Sequence, residues 1–243
     1  MSKAASLDIG GPAFHEFRNV EDMSATLARE IVERLTAAVA RKGYASMIAS
    51  GGTTPGAMFD ILARSEAPWK NVAITLSDDR WIETASDRSN ERLIRERLLL
   101  ANAAAARFVP LRTAHAHARE AEQNVDDAVR AIRRPFDVAL LGMGTDGHVA
   151  SLIPGAAGLE RALDRNDPAL VRAVNPPDLA AKDERISLTL RAILDARWIV
   201  ILLRGSQKRT AFQWALDGED IREAPVRALL HQNDVPVSVF WCP

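Results

Sequence analysis

The sequence predicts an α/β fold, a mainly parallel sheet with helices on both faces. Three observations point to it. Apolar runs of strand length alternate along the chain with segments of helical periodicity. Repeated strand–helix–strand order favours parallel pairing, because each crossover helix returns the chain to the same end of the sheet. Glycine-rich and polar clusters follow the strands directly, where sheets of this kind bind ligands.

The elements follow in order. Leu27, Ile31 and Leu35 fall four apart, with Ala28, Val32 and Val39 beside them, and predict a helix capped by Asp22 or Ser24 and closed by Gly43. Tyr44–Ala49 reads as a buried strand. Thr54 and Pro55 read as an N-cap and a first helical residue, opening a helix through Met58, Ile61 and Leu62. Val72–Leu76 is β-branched and strand-like, and Ser89 caps a helix carrying Leu93, Ile94, Arg97 and Leu98. A strand over Phe108–Leu111 precedes a long helix over Ala114–Ile132. Phe136–Leu141 reads as a strand covered on both faces. Between Gly155 and Asp183 prolines, glycines and charges break the pattern. Ile186, Leu188 and Leu190 alternate with polar residues as in a strand. Trp198–Leu203 forms another strand, a helix spans Thr210–Leu216, and Val235–Trp241 supplies the last strand.

At 243 residues the chain has room for one large α/β domain or two small ones. A net charge of −1 supplies no global field for nucleic acid or an anionic membrane, so neither is an expected partner. The single cysteine, Cys242, excludes an internal disulfide framework and a multi-cysteine metal site. The N-terminus lacks the apolar core of a signal peptide, and no window approaches the ~18 apolar residues of a membrane helix. The expectation is a soluble, cytoplasmic protein with no evident obligate protein partner.

Four clusters carry candidate chemistry. Ser50, Gly51, Gly52 and Thr53 lie between a strand and a helix start, where glycine backbone N–H groups and a helix dipole suit an anion. A plain turn with an N-cap is the competing reading. Ser77-Asp78-Asp79-Arg80-Trp81 follows the next strand and is either a solvated turn or a site. Arg80 offers two-pronged recognition of a phosphate, with a carboxylate to fix its orientation. Asn90 downstream belongs to a helix start that can also face the ligand. In Gly142-Met143-Gly144-Thr145-Asp146-Gly147-His148, three glycines frame an acid and a histidine at the ligand-binding edge of the sheet. Histidine exchanges protons near neutral pH, and Asp146 is close enough to orient it. The fourth cluster pairs Arg185 with Lys208, the latter near a helix start.

Together these segments resemble the 6-phosphogluconolactonase family, within the wider sugar-phosphate isomerase and deaminase group. The matching stretches are SGGTTP, SDDRW with SN downstream, LLGMGTDGHVASLIPG, RISLTL and the GSQK turn, in the family's order from about Ser50 to Lys208. Asp79 stands where glutamate is usual, Val149 and Ser187 where threonine is, and Ile153 where phenylalanine is. The resemblance implies a modified Rossmann-like sheet in a single domain over 1–243. It implies a sugar δ-lactone 6-phosphate of the oxidative pentose phosphate pathway as substrate, with no metal or organic cofactor.

On that resemblance Ser50, Gly51, Gly52, Thr53, Asp78, Arg80, Asn90, Arg185 and Lys208 bind the sugar phosphate. His148 activates water, Asp146 favours the transient imidazolium, and the Gly144 N–H is the expected oxyanion donor. Two alternatives stand beside this reading. A hexosamine-6-phosphate deaminase or isomerase would use Asp78 as base, normally with a tyrosine near it rather than Arg80, and would carry asparagine-glutamate-proline after the histidine. A non-catalytic sugar-phosphate sensor would keep the phosphate loop without turnover.

Overall fold

The computed structural model describes residues 11–178 and 183–243. In chain order the first elements are strand β1 (Ala13–Glu16), helix α1 (Val20–Lys42), β2 (Ala45–Ala49), α2 (Gly56–Arg64), β3 (Val72–Leu76) and β4 (Asp78–Arg80). Next come α3 (Asn90–Arg97), β5 (Arg107–Val109), α4 (Ala118–Arg130), β6 (Val138–Gly142), α5 (Leu159–Leu163) and β7 (Val171–Ala173). The chain ends with β8 (Arg185–Leu188), α6 (Leu190–Leu194), β9 (Ile199–Arg204), α7 (Ser206–Asp217), α8 (Arg227–Leu230) and β10 (Val237–Cys242).

Seven strands form a parallel sheet in the order β1-β10-β9-β6-β2-β3-β5. From β2 the chain steps outward through β3 to β5. It then returns to the other side of β2, laying down β6, β9 and β10. The strand order therefore reverses between β2 and β6, and their carboxyl ends splay apart into a crevice. A second, antiparallel sheet, β4-β8-β7, stands at the same end. Ser77 alone joins β3 to β4: its N–H donates to Ala49 O and its carbonyl accepts from the Leu188 N–H.

Burial explains why the strands were legible. Every residue of β2 is buried, as are the first five of β9, because helices cover both faces of the sheet. From α1, Met23, Leu27, Ile31 and Leu35 are fully buried. Truncating one of these leucines to alanine costs about 2–5 kcal/mol, from lost transfer energy and the cavity left behind.

Several local expectations need correction. Asn19, not Asp22 or Ser24, caps α1, accepting the Asp22 N–H at 2.8 Å. Pro55 itself takes the N-cap position of α2, and Thr54 makes no cap. The long helix starts at Ala118 rather than Ala114, because the Glu184 carboxylate accepts the Ala118 N–H at 2.9 Å. The strand β6 begins after Asp137, whose carboxylate accepts the Ser46 N–H and pairs with Lys42 at 2.9 Å. Leu190 does not continue β8: Thr189 ends the strand and accepts the Ala192 N–H, opening α6. The edge strand β1 had no counterpart in the sequence reading, and α5 and β7 fall in the stretch left unassigned. Residues 179–182 lie outside the described ones.

Candidate active site

The crevice at the β2/β6 switch is a cleft of about 260 Å³. Ser50, Gly51, Gly52, Thr53, Asp78, Arg80, Asn90, His148, Arg185 and Lys208 all line it, from six separate stretches of chain. Gly144 and Asp146 do not line it; both lie against the His148 ring.

One side of the cleft is built from the turn after β2 and the start of α3. Gly51 must lack a side chain, since a Cβ there would overlap the Asn90 carboxamide. That carboxamide donates to Asp78 O at 2.8 Å and accepts from Arg80 Nη1 at 2.9 Å. Arg80 Nη1 also donates to Arg88 O at 2.9 Å, which leaves the rest of the fork for a ligand. The expected carboxylate does not orient this guanidinium, whose partners are Arg88 O and Asn90, and Asp79 serves elsewhere. Its carboxylate instead accepts the N–H groups of Arg80, Asn90 and Glu91, and so clamps the start of α3. Burial pushes the Asp79 carboxyl up to about 6 against the pull of those N–H groups, with Asp78 adding to the rise.

Asp78 is neither free nor solvated. Ser77 Oγ donates to one of its oxygens at 2.8 Å and Ser151 Oγ to the other at 2.5 Å. Arg185 approaches to 4.0 Å from the neighbouring strand, in register with Arg80. Burial lowers the Arg185 guanidinium from its usual value, and the nearby Arg80 charge lowers it further. Among the described residues, Ser50 Oγ and Arg185 Nε are buried without a hydrogen-bond partner. Both atoms belong to residues that line the cleft, beside the like charges of Arg80 and Arg185.

The other working part is the loop after β6. Asp146 Oδ1 lies 2.6 Å from His148 Nδ1, and this hydrogen bond holds the Asp146 carboxyl down at about 2. Among the described residues, His148 Nε2 makes no hydrogen bond, so it is the ring nitrogen free for chemistry. Gly147 takes φ +77, and its carbonyl accepts the Val226 N–H at 2.9 Å, tying the loop to the C-terminal helices. The expected oxyanion role of Gly144 fails on geometry: its N–H already donates to His148 O at 2.8 Å. Gly144 is instead needed for its lack of a side chain, because a Cβ would overlap His148 Nδ1 and Asp146 Oδ1.

Lys208, in the first turn of α7, donates from Nζ to Met143 O at 2.5 Å. Burial lowers its ammonium from the usual value, partly offset by Asp146. Sequence reasoning missed Ser77 and Ser151, the partners of Asp78, and Arg204 at the end of β9, which also lines the cleft. The rule that ligands meet strand ends already pointed at Arg204, the charge that closes the apolar run Trp198–Leu203.

Comparison with known proteins agrees with this architecture. Residues 18–241 match the family described as glucosamine-6-phosphate isomerases/6-phosphogluconolactonase. A 6-phosphogluconolactonase of Caulobacter vibrioides is 41% identical, covering 93% of this chain and 95% of its own. One from Rhizobium meliloti is 39% identical over 94% of this chain and 98% of its own. The crystal structure of a 6-phosphogluconolactonase from Shewanella baltica superposes with a TM-score of 0.92 at 40% identity, covering 96% and 98% of the two chains. The chain belongs to the glucosamine-6-phosphate isomerase/6-phosphogluconolactonase family.

Proposed function

We propose that this protein hydrolyses 6-phospho-D-glucono-1,5-lactone to 6-phosphogluconate, the lactone-opening step of the oxidative pentose phosphate pathway, with His148 as general base. The observation that carries this reading is the Asp146–His148 pair at 2.6 Å, in the loop whose histidine lines the same cleft as the Gly51–Thr53 turn and two guanidinium groups. Relatives across nearly the whole chain bear the corresponding name.

The residues divide the work. Backbone groups of Gly51, Gly52 and Thr53, with Arg80, Arg185 and Lys208, hold the phosphate. With the anionic end fixed, the lactone carbonyl is held near Nε2 of His148, which converts an encounter into a positioned reaction. His148 takes a proton from water as the oxygen attacks the carbonyl carbon. Asp146, ionised because its carboxyl is held near 2, favours the imidazolium that forms. The tetrahedral intermediate collapses with cleavage of the bond to the ring oxygen, and His148 returns the proton to that oxygen. The product acid ionises and releases one proton to solution. General base assistance of this kind supplies about 10²–10⁴-fold in rate, enough for an ester that already hydrolyses unaided.

The deaminase or isomerase alternative asks Asp78 to move a proton between carbons. Both Asp78 oxygens are already engaged by hydroxyl hydrogen bonds from Ser77 and Ser151, so neither is turned freely towards a substrate carbon. The test follows acid release from freshly made lactone phosphate. His148→Ala is expected to lower kcat at least ~10²-fold while changing KM far less. A variant as fast as the parent removes His148 as base; phosphate-sugar binding by the parent without turnover makes the protein a sensor.

A further inference from the structure

Arg204 lines the cleft but belongs to neither group of residues described so far. It is the last residue of β9, exposed, and among the described residues it enters no ion pair and no side-chain hydrogen bond. The other cations of the cleft are tethered: Arg80 to Arg88 O and Asn90, Arg185 beside Asp78, Lys208 to Met143 O. Directly after Arg204 the chain turns through Gly205 at φ +86 into α7, whose N-cap provides no side-chain acceptor for the first-turn N–H groups. Lys208 projects from that same turn into the cleft. Ser50, only 4% exposed, presents an unpartnered hydroxyl to the same space.

We propose that Arg204 is a specificity-determining residue, an untethered cation that closes on the substrate phosphate alongside Lys208 and selects phosphorylated over unphosphorylated lactone. The inference rests on the lactone-hydrolase reading for its substrate, and on the cleft alone for its anion. A phosphate dianion presents three acceptor oxygens, and Lys208 has already committed one of its three N–H groups to Met143 O. A guanidinium supplies the two-pronged contact that an ammonium cannot. Being exposed and unpaired, Arg204 is also free to meet the anion outside the cleft, and its attraction is therefore sensitive to salt.

The test compares Arg204→Gln and Arg204→Lys with the parent protein. On the lactone 6-phosphate, Arg204→Gln is expected to raise KM roughly 10-fold with kcat within about 3-fold, and Arg204→Lys to recover part of the loss. Turnover of unphosphorylated gluconolactone changes less than about 2-fold in both variants. In a calorimetric titration with inorganic phosphate alone, Arg204→Gln binds roughly 10-fold more weakly and depends less on ionic strength. Titration with gluconate, which carries a carboxylate and no phosphate, is unaffected. Equal losses on both lactones, unchanged phosphate binding, or a loss confined to gluconate each overturn the proposal. If the parent protein turns over neither lactone, the hydrolase reading fails, and the phosphate titration still decides the role of Arg204.

Discussion

Asp146 Oδ1 lies 2.6 Å from Nδ1 of His148, two residues further along the same loop. An asparagine at 146 can accept the same N–H through its oxygen but carries no charge to match an imidazolium. For Asp146→Asn the proposed mechanism therefore predicts a fall in kcat of about 10–100-fold, with KM within about 3-fold. The carboxyl is held at about 2, below its ordinary 3.8, so it stays ionised across the working range. The stability it adds is present above about pH 4 and is lost as pH falls towards 2. An acid limb in the activity profile above pH 4 consequently belongs to another group. A variant with unchanged kcat would show that the carboxylate only shapes the loop.

Gly144 separates catalysis from binding in a second way. A methyl group there would overlap both the His148 ring and the Asp146 carboxylate, while the proposed phosphate cradle lies on other elements. Gly144→Ala is expected to lower kcat by more than ~10-fold and to leave inorganic phosphate affinity within about 2-fold. Loss of phosphate binding in this variant would show that the two parts of the cleft are mechanically coupled.

The parts of this protein that were legible in the sequence share a physical origin. Val72–Leu76 was bounded correctly because its apolar and β-branched residues suit a strand covered by helices, and the Asp146–His148 pair was visible because both members sit in one short loop. What escaped depends on partners remote in sequence. The strand β4 reads Asp-Asp-Arg and has no strand signature. It forms because β8, more than a hundred residues on, offers its backbone, and because Asp79 is satisfied by three N–H groups. Ser151 looks like any small residue until Asp78 is brought to 2.5 Å from it. The edge strand β1 is mostly exposed and carries no alternation to betray it. Leu188 and Leu190 kept the two-residue period of a strand although Thr189 between them caps a helix.

Gly51 and Arg80 are joined through Asn90, which makes the proposed phosphate cradle sensitive to any side chain at Gly51. A Cβ on Gly51 would displace the Asn90 carboxamide and release Arg80 Nη1 from one of its two acceptors. Gly51→Ala is expected to raise KM for the lactone phosphate about 10-fold or more, as Arg80→Ala does, with smaller effects on kcat. Combining the two substitutions should cost little more than the worse one alone, because both disable the same contact. Additive losses in that double-mutant cycle would place Gly51 and Arg80 in independent roles.

Asp79 sets two opposing forces against each other in the folded protein. It is 1% exposed, which penalises its charge, yet its two oxygens accept three backbone N–H groups and the Ser89 hydroxyl, which favour it. Burial prevails, and the carboxyl stands at about 6, above its ordinary 3.8. A carboxyl whose value is raised on folding binds its proton more tightly in the folded chain than in the unfolded one. Its contribution to stability is therefore fully present below about pH 4 and is lost as pH rises through about 6, by at most about 1.4 kcal/mol per pH unit. Asp79→Asn removes this titration, and its amide also turns an N–H group towards a backbone donor, a mismatch worth about 1–3 kcal/mol. Urea unfolding of both proteins should show the parent more stable at pH 7 and its advantage wider at pH 5. A gap that narrows on acidification would mean that the hydrogen bonds outweigh burial, and that the ionised clamp is what holds the start of α3 against Arg80.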